Sequence, residues 1–359
     1  MKKEILYITN LPAPYKINYF NELGKYTDLT VVFERSTAKN RNAAWTSFDS
    51  VCNFNAVFLS GINFGNEMCV DISIVKVLAQ YRNSLVFLNG YSSPTEMLAI
   101  QYMKVHKIPF VLVCDGLLVK KEPSIVKRLK RALINSASYW MSSGRETDTA
   151  LINHGADLSR IYRYPFSSIR KSDIAKIPYC RAHYKRAIGC KSTRMILYVG
   201  QMIQRKGIDL LLEAVKNINI DFQLYMIGDR CPFSDQRVVN IGFLNQSELK
   251  NYYMAADLFV LPSREDIWGL VINEAMGYGV PVVATDRCGA ALEMIKNGYN
   301  GAIVPANNVA ALQEKIVSIL QEDGSEAYMY DAIRTAQSYT IEKMAERTWE
   351  IICEIWEGE

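Results

Sequence analysis

The sequence predicts an α/β protein of two doubly wound, Rossmann-like domains facing each other, with ligands expected at strand C-termini in the cleft. Three observations predict this. The chain has 359 residues, and a single hydrophobic core stops growing near ~250–300 residues, so two domains of about 150–200 residues are expected. Short, nearly continuous apolar runs alternate with helix-period segments in both halves, the pattern of parallel sheets covered on both faces. No low-complexity segment or short-period repeat interrupts that alternation.

In the first half, Glu4–Thr9 and Leu29–Phe33 read as strands around a helix over Tyr15–Gly24. Further strands are expected at Ala56–Leu59, Ser84–Leu88, Pro109–Val113 and Ser138–Met141. Helical periodicity falls between them, around Ile72–Tyr81, Thr95–His106 and Ser124–Asn135. The segment Tyr164-Pro165-Phe166-Ser167-Ser168 reads as a linker, and the basic stretch Lys171–Lys191 then opens the second domain. That domain is expected to carry strands at Arg194–Val199, Phe222–Ile227, Val238–Ile241, Leu258–Leu261, Pro281–Ala284 and Ala302–Val304. Its helices are expected at Ile208–Asn217, Ser247–Ala255, Leu270–Tyr278, Val309–Glu322, Ser325–Ser338 and Ile341–Trp356. Ser247, with Glu248 in the first turn, suits the start of the second of these. The division is therefore residues 1–165 and 166–340.

Composition excludes several classes. A mean hydropathy of −0.03 and no apolar run near ~18 residues argue against a membrane span. The apolar stretch after Lys2, Lys3 and Glu4 is too short for a secretory leader, so a cytoplasmic location is expected. Eight cysteines, at 52, 69, 114, 180, 190, 231, 288 and 353, contain no CxxC pair and read as reduced thiols. With three histidines and no HExxH cluster, no protein-built zinc site is expected. The net charge of +4 conceals an asymmetry: residues 1–180 carry 23 basic and 14 acidic side chains, whereas the remainder carries 18 and 23. A basic half joined to an acidic half suggests two units with different partners.

Leu258–Ala284 carries the densest chemical signal. A strand leaves through Pro262-Ser263 into a loop with Glu265 and Asp266, and Gly269 turns the backbone tightly before a helix beginning near Leu270. The N–H groups of Gly269, Leu270 and Val271, at the positive helix end, form a natural diphosphate seat. Glu274, in the second turn, can accept hydrogen bonds from two adjacent hydroxyls such as a ribose offers.

This segment resembles the signature of retaining glycosyltransferase family 4, which has the two-domain GT-B fold. The family carries two acids separated by seven residues, followed by Ala-Met-x-x-Gly-x-Pro-Val-Val; here the acids fall on Asp266 and Glu274, and the run reads Ala275–Val283. The resemblance implies that Asp266 contacts the donor sugar, with Glu265 beside it, that Glu274 contacts the ribose, and that the amides around Trp268–Val271 hold sugar hydroxyls and phosphate. Trp268 stands where the family more often has Phe. A second segment, Leu197–Val215, resembles the family's Gly-Arg-x-x-x-x-Lys-Gly loop, with Gly200 at its start. Lys206 matches the lysine that meets the donor diphosphate, while Gln201 replaces the arginine, a role Arg205 can take over. Ile227-Gly228-Asp229, Gly242, the helix Glu248–Ala256, Cys288-Gly289 through Glu293 and Gly298–Gly301 follow in the family's order. The terminal helix, over 341–359, resembles the one that packs back on the first domain in this fold.

The first half matches less specifically. Its first loop reads Asn10-Leu11-Pro12-Ala13-Pro14-Tyr15, stiffened by prolines, which suits either a lining of the acceptor side or a structural turn. Asn89-Gly90-Tyr91 and Cys114-Asp115-Gly116 both follow apolar strands, and Asp115 is either the candidate here for a polar contact to donor sugar or acceptor or a turn residue before Gly116. Lys120–Arg131 holds six basic residues and one acid; Ile125, Val126, Leu129, Ala132 and Leu133 make one helix face and Lys127, Arg128, Lys130 and Arg131 the other. Such a helix suits an anionic membrane surface, or a plain solvated face. No recognition module accompanies the charge, so nucleic acid is not an expected partner. Gly277-Tyr278-Gly279 ends a helix and precedes a strand, the wrong context for a dinucleotide loop.

The family resemblance implies a retaining transferase that takes a nucleotide-diphosphate sugar, with a UDP-sugar favoured. The acceptor it implies is a lipid-linked or polysaccharide intermediate of bacterial envelope glycan assembly; the expected location is cytoplasmic, either free or, through the basic helix, peripheral on the inner face of the plasma membrane. No DxD occurs in the chain, which agrees with metal-independent transfer and no cofactor beyond the donor. Two rival readings are a UDP-sugar 2-epimerase of the same fold and a non-catalytic GT-B partner subunit.

Overall fold

The computed structural model describes residues 3–36, 52–64, 68–119, 122–229, 235–321 and 325–358. Lys120, Lys121, Cys231 and Glu322 lie outside the described residues. The chain forms two compact units, Met1–Phe166 with Ile341–Glu359, and Ser167–Thr340.

The first unit is built in chain order from β1 (Glu4–Thr9), α1 (Pro14–Leu23), β2 (Asp28–Phe33), β3 (Asn55–Phe58), β4 (Ile62–Phe64), β5 (Met68–Val70), α2 (Ile74–Gln80), β6 (Leu85–Asn89), α3 (Pro94–Val105), β7 (Phe110–Cys114), α4 (Ser124–Ile134), β8 (Tyr139–Ser142), α5 (Arg145–Asn153) and β9 (Ile161–Arg163). Seven strands form one sheet in the order β3-β2-β1-β6-β7-β8-β9, and each pairing in it is parallel. Strand alternation divides the core. Leu6 and Ile8 of β1 pack with Ile74, Leu78, Ile100, Met103 and Leu133 from α2, α3 and α4. Tyr7 points the other way, against Tyr19 and Phe20 of α1 at ring distances of 6.1 and 4.9 Å.

That second face is closed from the far end of the chain. In α13 (Ile341–Glu357), Thr348 accepts a 3.0 Å hydrogen bond from Tyr19 Oη, Trp349 stacks on Tyr26, and Arg347 Nε reaches the Arg163 carbonyl. Ile341, Met344, Ala345, Ile351, Ile352 and Ile355 are buried along one stripe, as an amphipathic helix covering a sheet requires.

The second unit runs through α6 (Arg181–Ala187), β10 (Arg194–Gly200), α7 (Ile208–Lys216), β11 (Phe222–Gly228), β12 (Val238–Ile241), α8 (Gln246–Ala255), β13 (Leu258–Leu261), α9 (Leu270–Gly277), β14 (Val282–Thr285), α10 (Gly289–Met294), β15 (Gly301–Val304), α11 (Val309–Gln321) and α12 (Ser325–Gln337). Its six strands are ordered β12-β11-β10-β13-β14-β15, again in parallel pairings. Chain order reverses between β1 and β6 in the first sheet and between β10 and β13 in the second. Connections there leave to opposite sides, which opens a crevice at the strand C-termini.

Several elements escape the sequence reading. α6 buries no residue, so it offers no apolar stripe to detect. The hairpin β4–β5 and the edge strand β9 have three residues per strand, and α10 only six. In α5 the apolar positions are diluted by Arg145, Glu146, Thr147, Asp148 and Thr149. The start of α8 also differs: Asn245, not Ser247, caps it. Asn245 Oδ1 accepts from Glu248 N at 3.0 Å, while Glu248 Oε2 accepts from Asn245 N at 2.9 Å, a reciprocal capping box.

Candidate active site

The crevice of the second sheet is made by the loops that leave β10 and β13. Gly207, just before α7, has φ of +69°, and a Cβ there would stand 2.0 Å from the Pro262 carbonyl oxygen. Only glycine both adopts that conformation readily and allows the approach. The loops are then stitched together. Arg264 N and Arg205 Nη1 donate to the carbonyls of Arg205 and Glu265 at 2.9 and 2.8 Å. Arg264 forms a two-pronged ion pair with Asp209, at 2.7 and 2.6 Å, and also reaches the Gln204 carbonyl and Asn307.

This stitching places Lys206 Nζ against Asp266 Oδ2, both side chains largely buried. The Asp266 backbone is held separately: its N–H donates to the Arg287 carbonyl at 2.8 Å and its carbonyl accepts from Gly289 N at 3.2 Å. An ammonium bound to one carboxylate still has two protons to give.

Behind the pair, α9 begins at Gly269, whose φ of +95° is the left-handed region. A Cβ there would meet Cys288 Sγ at 2.6 Å. Among the described residues no side chain caps this helix, and the N–H groups of Gly269, Leu270 and Val271 donate to no protein acceptor. An uncapped N-terminus with its partial positive charge is a seat for an anion. Trp268 is buried, and its carbonyl accepts from Cys288 Sγ at 2.8 Å.

Glu274 lies one turn into α9. Ser168 Oγ and Tyr253 Oη donate to its two carboxylate oxygens, each at 3.1 Å. Tyr253 is fixed in turn by parallel stacking on Tyr278, ring centroids 5.4 Å apart. Burial raises the Glu274 carboxyl above its ordinary value, and the two hydroxyls partly offset this. Each oxygen keeps a further lone pair, so the carboxylate can accept from a vicinal diol.

The structure brings Lys206, Asp266, Gly269, Leu270, Val271 and Glu274 onto the crossover edge of one sheet. Gly200 and Gln201 lie at the end of β10. A Cβ on Gly228, at the end of β11, would stand 2.2 Å from the Gly200 carbonyl oxygen. Gln201 is exposed, and its carbonyl accepts from buried Tyr198 Oη at 2.9 Å. Arg205 spends one guanidinium nitrogen on the Glu265 carbonyl. Asp115 belongs to the other unit, where it accepts from buried Tyr164 Oη at 2.6 Å. Sequence reasoning missed Arg264, Tyr253 and Ser168. The first sits beside the motif acids; the other two lie 21 and 106 residues from Glu274, where no spacing rule reaches.

Residues 193–322 match the family model of the group 1 glycosyl transferases. An uncharacterized glycosyltransferase of Methanocaldococcus jannaschii is 29% identical over 184 residues, 47% of this chain and 47% of that protein. Among solved structures, Anabaena HepE in complex with UDP has a TM-score of 0.78 at 17% identity, covering 99% of this chain and 100% of that one. WaaG, a glycosyltransferase involved in lipopolysaccharide biosynthesis, has a TM-score of 0.69 at 16% identity, covering 97% and 99%. The chain spans about half or less of the curated relatives it matches, 38%, 47% and 50% for three of them.

The raised Glu274 carboxyl makes a signed prediction. Its contribution to stability is fully present below the unfolded value of about 4.5 and is lost as pH rises through the folded value. Glu274→Gln removes the titration, so its Tm should vary less with pH and exceed that of the parent at neutral pH. Each 1 kcal/mol recovered corresponds to about 2–4 °C. Thermal melts across the acid-to-neutral range check this; a variant whose pH profile matches the parent's contradicts it.

Proposed function

We propose that this chain, whose second unit carries a group 1 glycosyl transferase domain within a GT-B fold, is a retaining glycosyltransferase that uses a UDP-sugar. The observation that carries the reading is the pairing of Lys206 with Asp266 in front of the open N-terminus of α9. A diphosphate bound there meets two remaining lysine protons and three backbone N–H groups. These matter most in the transition state. As the bond from the anomeric carbon to the β-phosphate oxygen breaks, charge gathers on that oxygen, where preorganised donors stabilise it.

The acceptor hydroxyl oxygen forms the new bond on the face from which the phosphate leaves, and the departing phosphate takes the hydroxyl proton. The products are glycoside and nucleoside diphosphate. No protein nucleophile is assigned, and no metal is assigned, because Lys206 and the helix end supply the positive charge. Asp266 orients the lysine and faces the sugar, while Glu274 accepts the ribose hydroxyls. Asp115, in the first unit, is assigned a contact to the sugar or the acceptor. HepE, similar in fold, binds UDP, which supports uridine as the nucleotide.

For the acceptor we propose a lipid-linked or polysaccharide intermediate of envelope glycan assembly, reached from an anionic membrane surface. In α4, Leu133 and Ile134 are buried and anchor the helix, whereas Ile125 and Leu129 are 78% and 52% exposed. Lys127, Arg128 and Arg131 are exposed beside them. Apolar side chains flanked by cations on a surface helix suit an interface with anionic lipid. No helix among the described residues is long and apolar enough to cross a membrane.

A panel of UDP- and GDP-sugars with a lipid-extract acceptor tests the chemistry. Nucleotide release should depend on the acceptor, and Lys206→Ala should lower kcat by roughly 10²–10³-fold. Epimerised sugar without nucleotide release, or full turnover by the variant, contradicts the reading. Sedimentation with phosphatidylglycerol vesicles tests the surface: replacing Lys127, Arg128, Lys130 and Arg131 by Gln should abolish co-sedimentation, and unchanged binding removes α4 from the account.

A further inference from the structure

The crossover point of the first sheet is built quite differently. β1 and β6 end side by side in Thr9-Asn10 and Asn89-Gly90. Lys16, in the first turn of α1, is buried and reaches back to both ends. Its Nζ donates to Thr9 Oγ1 at 2.6 Å, Asn10 Oδ1 at 2.9 Å and Asn89 Oδ1 at 3.1 Å.

An ammonium can only donate, so it forces both asparagines to turn their carbonyl oxygens inward. Each oxygen takes a second bond as well: Leu11 N donates to Asn10 Oδ1 at 2.7 Å, and Thr9 Oγ1 to Asn89 Oδ1 at 3.2 Å. The two amide nitrogens are thereby turned away from the lysine. Among the described residues neither has an acceptor, and both side chains are half-buried rather than enclosed.

Here two side-chain amides have their carbonyl oxygens fixed by one ammonium, on neighbouring strand ends, at the place where parallel sheets receive ligands. Glu34, just past the end of β2, is buried, accepts from Ser93 Oγ at 2.8 Å, and among the described residues keeps one carboxyl oxygen without a partner. Lys16 lies near enough for its charge to act on that carboxyl, whose pKa is raised chiefly by burial. Pro12 and Pro14 stiffen the loop that carries Asn10.

We propose that Asn10 and Asn89, locked in a common orientation by Lys16, form a subsite for vicinal hydroxyls of a sugar ring, the acceptor glycan of the transfer reaction. Both amide oxygens bond one ammonium, at 2.9 and 3.1 Å, so the two oxygens stand no more than about 6 Å apart, a span comparable to a pyranose ring. The amide protons read hydroxyl lone pairs. Lys16 is a positioning residue that touches no substrate. The assignment of this sugar to the acceptor rests on the glycosyltransferase reading; the subsite itself does not.

Substitution by Asp separates the roles. An aspartate at either position keeps an oxygen for Lys16 but removes the outward donors. Saturation-transfer NMR on the full chain, with the methyl glycosides of glucose, galactose, mannose and N-acetylglucosamine as probes, should show transfer to at least one of them. Asn10→Asp with Asn89→Asp should weaken that binding at least tenfold, with Tm and UDP affinity retained. No transfer to any glycoside, or equal binding by the double variant, overturns the subsite. UDP titrated into the same samples reports on the donor reading separately: UDP binding without glycoside binding overturns this inference alone, and glycoside binding without UDP binding supports it while contradicting the donor site.

Discussion

A side chain on Gly207 would drive its Cβ to 2.0 Å from the Pro262 carbonyl oxygen, and the geometry of the proposed donor site depends on that approach. Because the loops after β10 and β13 meet backbone to backbone, Lys206 and Asp266 come together although 60 residues separate them. Arg264 secures the approach from outside through Asp209, and Gly269 repeats the device one loop further on, against Cys288. The cost of these glycines in chain entropy is offset by what they position: an ammonium, a carboxylate and an open helix end within one crevice.

The two sheets share a topology and differ in chemistry. In the second, glycines thin the backbone at the crossover point, leaving N–H groups open and cationic charge close by. In the first, the crossover is braced by prolines and by a buried lysine that saturates its own acceptors. Net charge by half is a poor guide to this division, since the half with net negative charge holds Lys206 and the open helix end, the proposed phosphate seat. Local arrangement decides where an anion is stabilised, because the helix end and Lys206 act over a few ångströms and the summed charge over much longer distances.

How much of this was legible follows from the range of each interaction. Parallel strands such as Leu258–Leu261 are apolar on both faces, so composition alone reveals them. Gly269 and Glu274 stand out because turn, helix start and acid follow at fixed spacing along one segment, and Lys206 because a second segment resembles the family's lysine-glycine loop. Tyr253 and Ser168 were invisible, since their claim on Glu274 exists only after α8 and the segment following Phe166 are packed. Ser247 misled because its hydroxyl is a good cap in isolation, while Asn245 won by closing a reciprocal box with Glu248. Nothing in the local sequence singles out Lys16; only the pairing of β1 with β6 brings its three acceptors together.

The central claim is that the ends of β10 and β13 hold the donor diphosphate. Hydrogen exchange of the full chain with and without UDP tests it most directly, because the open amides of Gly269, Leu270 and Val271 are themselves the predicted ligands. UDP should slow exchange at 200–207 and 262–274, most at the start of α9. Unchanged exchange in both segments under saturating UDP would contradict the account.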